Sequence, residues 1–113
     1  INMTLPELAA GKCTPHSGPG HRLDAARSAE LLRLLPGWEN AGNEIARTYS
    51  FNHYAEMLDF VHEVAGIAER EDHHPDIAFG YNRCRVAWST HSVGGLSMND
   101  FICAAKVEAL LSS

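Results

Sequence analysis

Residues 53–70, "HYAEMLDFVHEVAGIAER", repeat apolar residues at helical spacing. Tyr54, Leu58, Val61, Ala65 and Ala68 recur every three or four positions, with Met57, Phe60, Val64 and Ile67 widening the stripe. So wide an apolar face predicts a helix laid across a sheet, with Asn52 placed to cap its start. A second helical pattern, "DAARSAELLRLL", runs from Asp24 to Leu35 and sets Ala26, Ala29, Leu31 or Leu32, and Leu35 on one side. Asp24 is its N-cap, and Pro36-Gly37 ends it. A third, "SMNDFICAAKVEALL", opens with Ser97 and Asp100 at capping-box spacing and carries Phe101, Ile102, Ala105, Ala109 and Leu110 along a stripe.

Between the helices the period changes. After a short extended piece around Trp38, a turn is expected at Asn40–Asn43. A strand from Glu44 to Phe51 follows, in which Ile45, Tyr49 and Phe51 share a parity that Arg47 breaks. "DIAFGY" is short and extended, "NR" is a turn, and "CRVAWST" alternates Cys84, Val86, Trp88 and Thr90 with Arg85, Ala87 and Ser89. Each pair of strands reads as a hairpin. The order α-β-β-α-β-β-α, with no parallel crossover, predicts an α+β two-layer domain: a four-stranded antiparallel sheet with three helices on one face. The other face must be polar or covered by a partner chain. Tyr81 and Trp88 near that face point to an oligomer.

At 113 residues the chain has the size of one domain, and 45% hydrophobic with 20% charged residues is the composition of a globular protein. Residues 1–22 read as a loose leader, because "GKCTPHSGPGHR" at 11–22 crowds glycine, proline and polar residues; the domain is expected over 23–113. Fourteen acidic against nine basic residues give a net charge of −5, so nucleic acid would meet repulsion and is not an expected direct ligand. No stretch approaches the ~20 apolar residues of a spanning helix, and the first residues lack the basic-then-apolar layout of a secretory signal. Cys13, Cys84 and Cys103 are odd in number and show no CxxC spacing, which fits a reducing cytoplasm; Cys84 and Cys103 read as small buried hydrophobes.

The chemistry-bearing residues are histidines. "REDHHP" at 70–75 sets His73 and His74 against Pro75, and His91 follows in "WSTHSVGGLSMND". A shared metal ion is disfavoured: ligating histidines usually sit at H-x-H on a strand or H-x-x-x-H on a helix, whereas neighbours in an extended segment point apart. Two other readings stand level on spacing alone, ordinary surface or core histidines and imidazoles gathered around a substrate that gains and loses protons. In the second, Pro75 keeps His74 extended, because a residue before proline is pushed out of the helical region. His91 lies where the last strand ends. His16 and His21 read as solvated loop residues, and His53 and His62 as packing or surface residues.

Glu69, His73, His74, Pro75, Tyr81, His91 and Asp100, spaced E-x3-H-H-P-x5-Y-x9-H-x8-D, resemble the signature of the pterin-4a-carbinolamine dehydratases. "GGLSMNDF" after His91 and "LPGW" at 35–38 are also similar to that family, and the likeness runs from about residue 23 to the C-terminus. The resemblance implies dehydration of 4a-hydroxytetrahydropterin to the quinonoid dihydropterin, recycling the cofactor of aromatic amino acid hydroxylases. It implies His73, His74 and His91 as catalytic histidines, with Pro75 and the stretch from Thr90 through Ser92 to Val93 lining the pterin site. It also implies no metal or organic cofactor, and a homodimer or homotetramer formed through the sheet. His74 and His91 are expected to exchange acid and base roles, with His73 orienting the ring or substituting for one of them. Glu69 and Asp100 read first as structural acids that hold the site without reacting, and Tyr81 as a packing residue, since a phenol titrates near pH ~10. The alternative function is a non-catalytic binding module. Members of the family also serve as a dimerisation cofactor for a homeodomain transcription factor, and relatives assist assembly of the carbon-fixing enzyme. Retention of all three histidines favours the enzyme.

Overall fold

The computed structural model describes residues 3–15 and 18–111. Its elements are α1 (Leu5–Ala9), α2 (Ala25–Leu32), β1 (Glu39–Ala41), β2 (Glu44–Ser50), α3 (Tyr54–Glu71), β3 (Asp76–Gly80), β4 (Arg83–Trp88) and α4 (Met98–Leu111). Short 3₁₀ turns at Pro19–His21 and His91–Val93 interrupt the loops. The strands form one antiparallel sheet in the order β1-β2-β4-β3. Register pairs Ile45 with Trp88, Arg47 with Val86 and Tyr49 with Cys84, so these residues share the inner face. All but Arg47 are buried in the core with residues of the helices, among them Leu31, Met57, Phe60, Val64, Phe101 and Val107, and with Leu35 beyond the end of α2. The outer face carries Ala46, Thr48, Ala78, Arg83, Arg85 and Ala87, with Arg85 donating to Glu44 at 2.8 Å.

The expected α+β architecture and element order stand, with four helices rather than three among the described residues. Ahead of residue 23, where composition suggests a loose leader, Thr4 and Glu7 form a capping box, and the short α1 buries Leu8 and packs on α4. Lys106 of α4 donates to Ala9 O at 2.7 Å. His16 lies outside the described residues, and His21 sits exposed at the end of its 3₁₀ turn. Asp24 caps α2 by accepting from Arg27 N at 2.8 Å, but the helix stops at Leu32. Residues 33–37 tighten into turns that bury Leu35 and set Gly37 at φ 89°. The first hairpin turns at Gly42-Asn43, inside the expected span, and the second at Tyr81-Asn82, one residue early.

Three further expectations change. His53, extended and without a side-chain cap, holds the N-cap position of α3 in place of Asn52. The buried side of α3 is Met57, Phe60, Val64, Ile67 and Ala68, while Tyr54, Leu58 and Ala65 are exposed. With apolar residues all round much of the helix, two overlapping stripes satisfy the same period, and packing against the sheet and α4 selects one. Trp88 lies on the inner face, fully buried, not on the outer face as a mark of association. Among the described residues no helix is long and apolar enough to cross a membrane.

Candidate functional site

The C-terminus of α3, the end of β4 and the N-terminus of α4 meet at a cleft of about 450 Å³. Asp72 ends α3 in the left-handed region (φ 51°), tolerable for aspartate, and both its N–H and that of His73 point at Ala68 O. This bend carries His73 inward and leaves His74 exposed ahead of Pro75. The His73 side chain is only 12% exposed; its ring stacks on Trp88 (centroids 5.6 Å apart, planes 15° apart), and Nε2 lies 2.7 Å from Asp100 Oδ1.

Asp100 is fully buried, and its carboxylate gathers three groups. Besides His73 Nε2, Oδ2 accepts from Thr90 Oγ1 at 2.8 Å and from Ser97 N at 2.9 Å. The last bond is one half of the expected capping box; the other half is shifted by one residue, Ser97 Oγ accepting from Asn99 N at 3.2 Å and not from Asp100 N. Because the Thr90 hydroxyl proton is committed to Asp100, Ser97 Oγ–H donates to Thr90 Oγ1 across their 2.8 Å contact. A carboxylate only accepts, so His73 presents Nε2–H to it, and Asp100 leaves Nδ1 unengaged. Thr90 is held in turn by paired backbone bonds with Gly95, closing the loop that carries His91, Ser92 and Val93.

His73, Thr90 and Ser92 line the 450 Å³ cleft. Exposed His91 lines a neighbouring cavity of about 240 Å³ with Glu44, Asp76 and Gly95; Thr90 borders both. His74 lines neither, Pro75 is half-buried, and Val93 is buried beneath the loop. Glu69 is exposed outside the cleft, and Tyr81 stacks on Tyr54 at the hairpin tip, 77% exposed. Thus one histidine is built into the cleft wall, a second adjoins it through Thr90, and the third stands in solvent.

The cleft also uses residues the sequence pattern did not single out. Cys13, Thr14 and Pro15 form one wall, and Arg70, Glu71, Asp72 and Asn99 contribute to the rest. Asn99 fastens that wall, its Oδ1 accepting from Thr14 N at 3.1 Å and its Nδ2 donating to Thr14 O at 2.7 Å. Glu71 Oε1 accepts from Cys13 N at 2.9 Å. That bond, with Lys106 and Lys12 adding attraction against the cost of burial, holds the Glu71 carboxyl below its ordinary range. Asn99 lies within "GGLSMNDF", but the contacts of Cys13–Pro15 span 85 residues or more of sequence on the α4 side, and no local pattern signals them. Among the described residues no three His, Cys, Asp or Glu side chains gather as a metal site.

The family model for pterin 4 alpha carbinolamine dehydratase matches residues 21–110. A relative from Nitrosospira multiformis is 46% identical over 110 residues, covering 97% of each chain. Another, from Xanthomonas campestris pv. campestris, is 54% identical over 105 residues, covering 91% of this chain and 89% of its own. Both carry provisional names as pterin-4-alpha-carbinolamine dehydratases. A crystal structure from Brucella melitensis, named a transcriptional coactivator/pterin dehydratase, superposes with a TM-score of 0.76 at 34% identity, covering 79% of this chain and 97% of that one. A pterin dehydratase-like protein identified as a RuBisCO assembly factor in the alpha-carboxysome shares the fold, with a TM-score of 0.55 at 23% identity over 67% of this chain and 88% of its own. By both the family match and the identity of its relatives, the chain belongs to the pterin 4 alpha carbinolamine dehydratase family.

Proposed function

We propose that the protein dehydrates 4a-hydroxytetrahydropterin to quinonoid dihydropterin and water by histidine acid–base catalysis, recycling tetrahydropterin for aromatic amino acid hydroxylases. The observation that carries this reading is His73: its ring is fixed by Asp100 on one edge and Trp88 on one face, at the wall of a 450 Å³ cleft. That volume falls within the range of small-molecule sites, about 300–1,000 Å³. Hydroxide leaves poorly, so the 4a-hydroxyl must gain a proton as it departs while a ring N–H loses one. Each positioned transfer is worth about 10²–10⁴ in rate. In this reading His73, held rigid with Nδ1 unclaimed by Asp100, orients the pterin. His74 and His91, both exposed, exchange protons with substrate and water. Thr90 and Ser92 line the bound ring, with Val93 packed beneath their loop and Pro75 closing the approach beside His74.

The protein is further proposed to act as a homodimer or homotetramer assembled through the small and charged outer face of its sheet, in the cytoplasm, where three free thiols persist. A second reading, a non-catalytic module such as a transcriptional cofactor, draws on the coactivator name of the Brucella protein. A stopped assay with chemically prepared 4a-hydroxytetrahydropterin separates the two. Turnover that falls in His73→Ala, His74→Ala and His91→Ala supports the enzyme. No turnover by the native chain would sink the enzyme, and turnover undiminished in all three variants would sink the histidine mechanism.

A further inference from the structure

Cys13 and Cys103 are 90 residues apart in sequence, yet their sulfurs lie 3.4 Å apart. Cys103 is fully buried in α4, whereas Cys13 is half-buried on an irregular segment and lines the cleft. We propose that this pair is a redox modification site, in which a peroxide converts the two thiols into a reversible intramolecular disulfide.

Access and mobility divide the roles. A small polar oxidant reaches Cys13 through the cleft, while Cys103 is shielded on every side. The hydrogen bond with Cys13, and then burial, push the Cys103 thiol up, so Cys103 keeps its proton and Cys13 is the sulfur that meets oxidant. The Cys13 sulfur attacks one oxygen of hydrogen peroxide; the O–O bond breaks, a sulfenic acid forms, and the Cys13 thiol proton leaves with the other oxygen as water. The Cys103 sulfur then attacks Cys13; the S–S bond forms, the S–O bond breaks, and the sulfenic oxygen leaves as a second water. Two thiols are oxidised and one peroxide is reduced to two waters. Bonding requires the sulfurs to close from 3.4 Å to about 2.05 Å. Cys13 can make that move, since its segment is held by side-chain bonds to Glu71 and Asn99 and not by a helix or sheet ladder. Cys84 is buried on the inner face of β4 and belongs to no such pair. The bridge would tie the Cys13–Pro15 wall of the cleft covalently to α4.

The test treats the reduced, intact protein with stoichiometric hydrogen peroxide, counts thiols after denaturation and maps cross-linked peptides by mass spectrometry. The expected result is a fall from three thiols to one, a loss of two hydrogen masses, and a single Cys13–Cys103 peptide pair that dithiothreitol reverses. Cys84→Ser should give the same link and end with no free thiol. Cys13→Ser, a change on the more exposed partner, should give none. Three thiols persisting, a link that uses Cys84 or joins two chains, or overoxidised Cys13 beside free Cys103 would overturn the assignment.

Discussion

Replacing Asp100 by asparagine keeps the shape of the side chain and removes its charge, at a position where three donors converge: His73 Nε2–H, Thr90 Oγ1–H and Ser97 N–H. The amide offers one acceptor and one donor side. Turned with its NH₂ toward Ser97 and Thr90, it strands a buried N–H at a cost of about 1–3 kcal/mol. Turned the other way it still accepts from Thr90 and Ser97, but its NH₂ faces His73, which must then move its proton from Nε2 to Nδ1. The second arrangement costs less, so the variant should carry the opposite imidazole tautomer. Each charge-assisted bond becomes neutral, a loss of about 1 kcal/mol apiece and about 3 kcal/mol over three bonds. A first-turn helix acid with no other duty would lose about 0.3–1 kcal/mol. Since domains of this size are stable by about 5–15 kcal/mol, the variant should still fold, melting on the order of 10 °C lower. Urea unfolding measures the loss, and imidazole ¹⁵N shifts report the His73 tautomer. A loss under about 1 kcal/mol with His73 still protonated on Nε2 would refute the network as drawn.

Glu71 is held below its ordinary range chiefly by the Cys13 N–H, so its stabilisation is present above the unfolded value of about 4.3 and is lost as pH falls through the folded one. Urea unfolding of Glu71→Gln should therefore show its full deficit at neutral pH and approach the native chain's stability below pH ~4. Burial, and then the hydrogen bond to Glu108, raise the Tyr49 phenol far above the usual range. A raised group contributes fully below its unfolded pKa and loses that contribution above it, so stability should decline beyond pH ~10, with Tyr49 ionising only on alkaline unfolding, followed by tyrosinate absorbance. At Gly37 (φ 89°) an added Cβ would stand 2.8 Å from Arg47 Cζ, whose guanidinium bonds Pro36 O at 2.7 Å and Glu108 Oε1 at 2.9 Å. Gly37→Ala should cost about 2–3 kcal/mol in urea midpoints, dropping to the backbone share of about 1–2 kcal/mol in an Arg47→Ala background.

The Glu108 cluster gives "LPGW" a physical meaning that its sequence conceals. Trp38 Nε1 donates to Glu108 Oε2 at 3.2 Å, and Tyr49 Oη–H and Arg47 bond the same carboxylate. Arg47, read along β2 as an interruption of the apolar parity, is thus an inward charge with a partner on α4. A strand pattern alone registers the break and not the partner. The helix α1 is a different case: Thr4 and Glu7 stand at capping-box spacing around Pro6, a signal present in the sequence but outweighed by the loop-rich composition that follows.

What the sequence determined by itself was periodic and local. Two-residue alternation marked β2 and β4, and helical spacing marked α2, α3 and α4, with the cap read correctly at Asp24, because each of these signals lies within a few turns of chain; the seven positions from Glu69 to Asp100 carried the resemblance to the family. Tertiary structure alone decided which of two overlapping stripes on α3 faces inward, and which of two adjacent histidines enters the wall. His73 is chosen by a left-handed residue at Asp72, an aromatic floor on β4 and a carboxylate on α4. The joining of Cys13–Pro15 to α4 likewise depends on contacts 85 or more residues apart. Such choices turn on long-range packing and on satisfying buried polar groups, which become defined only once the sheet and helices close on one another.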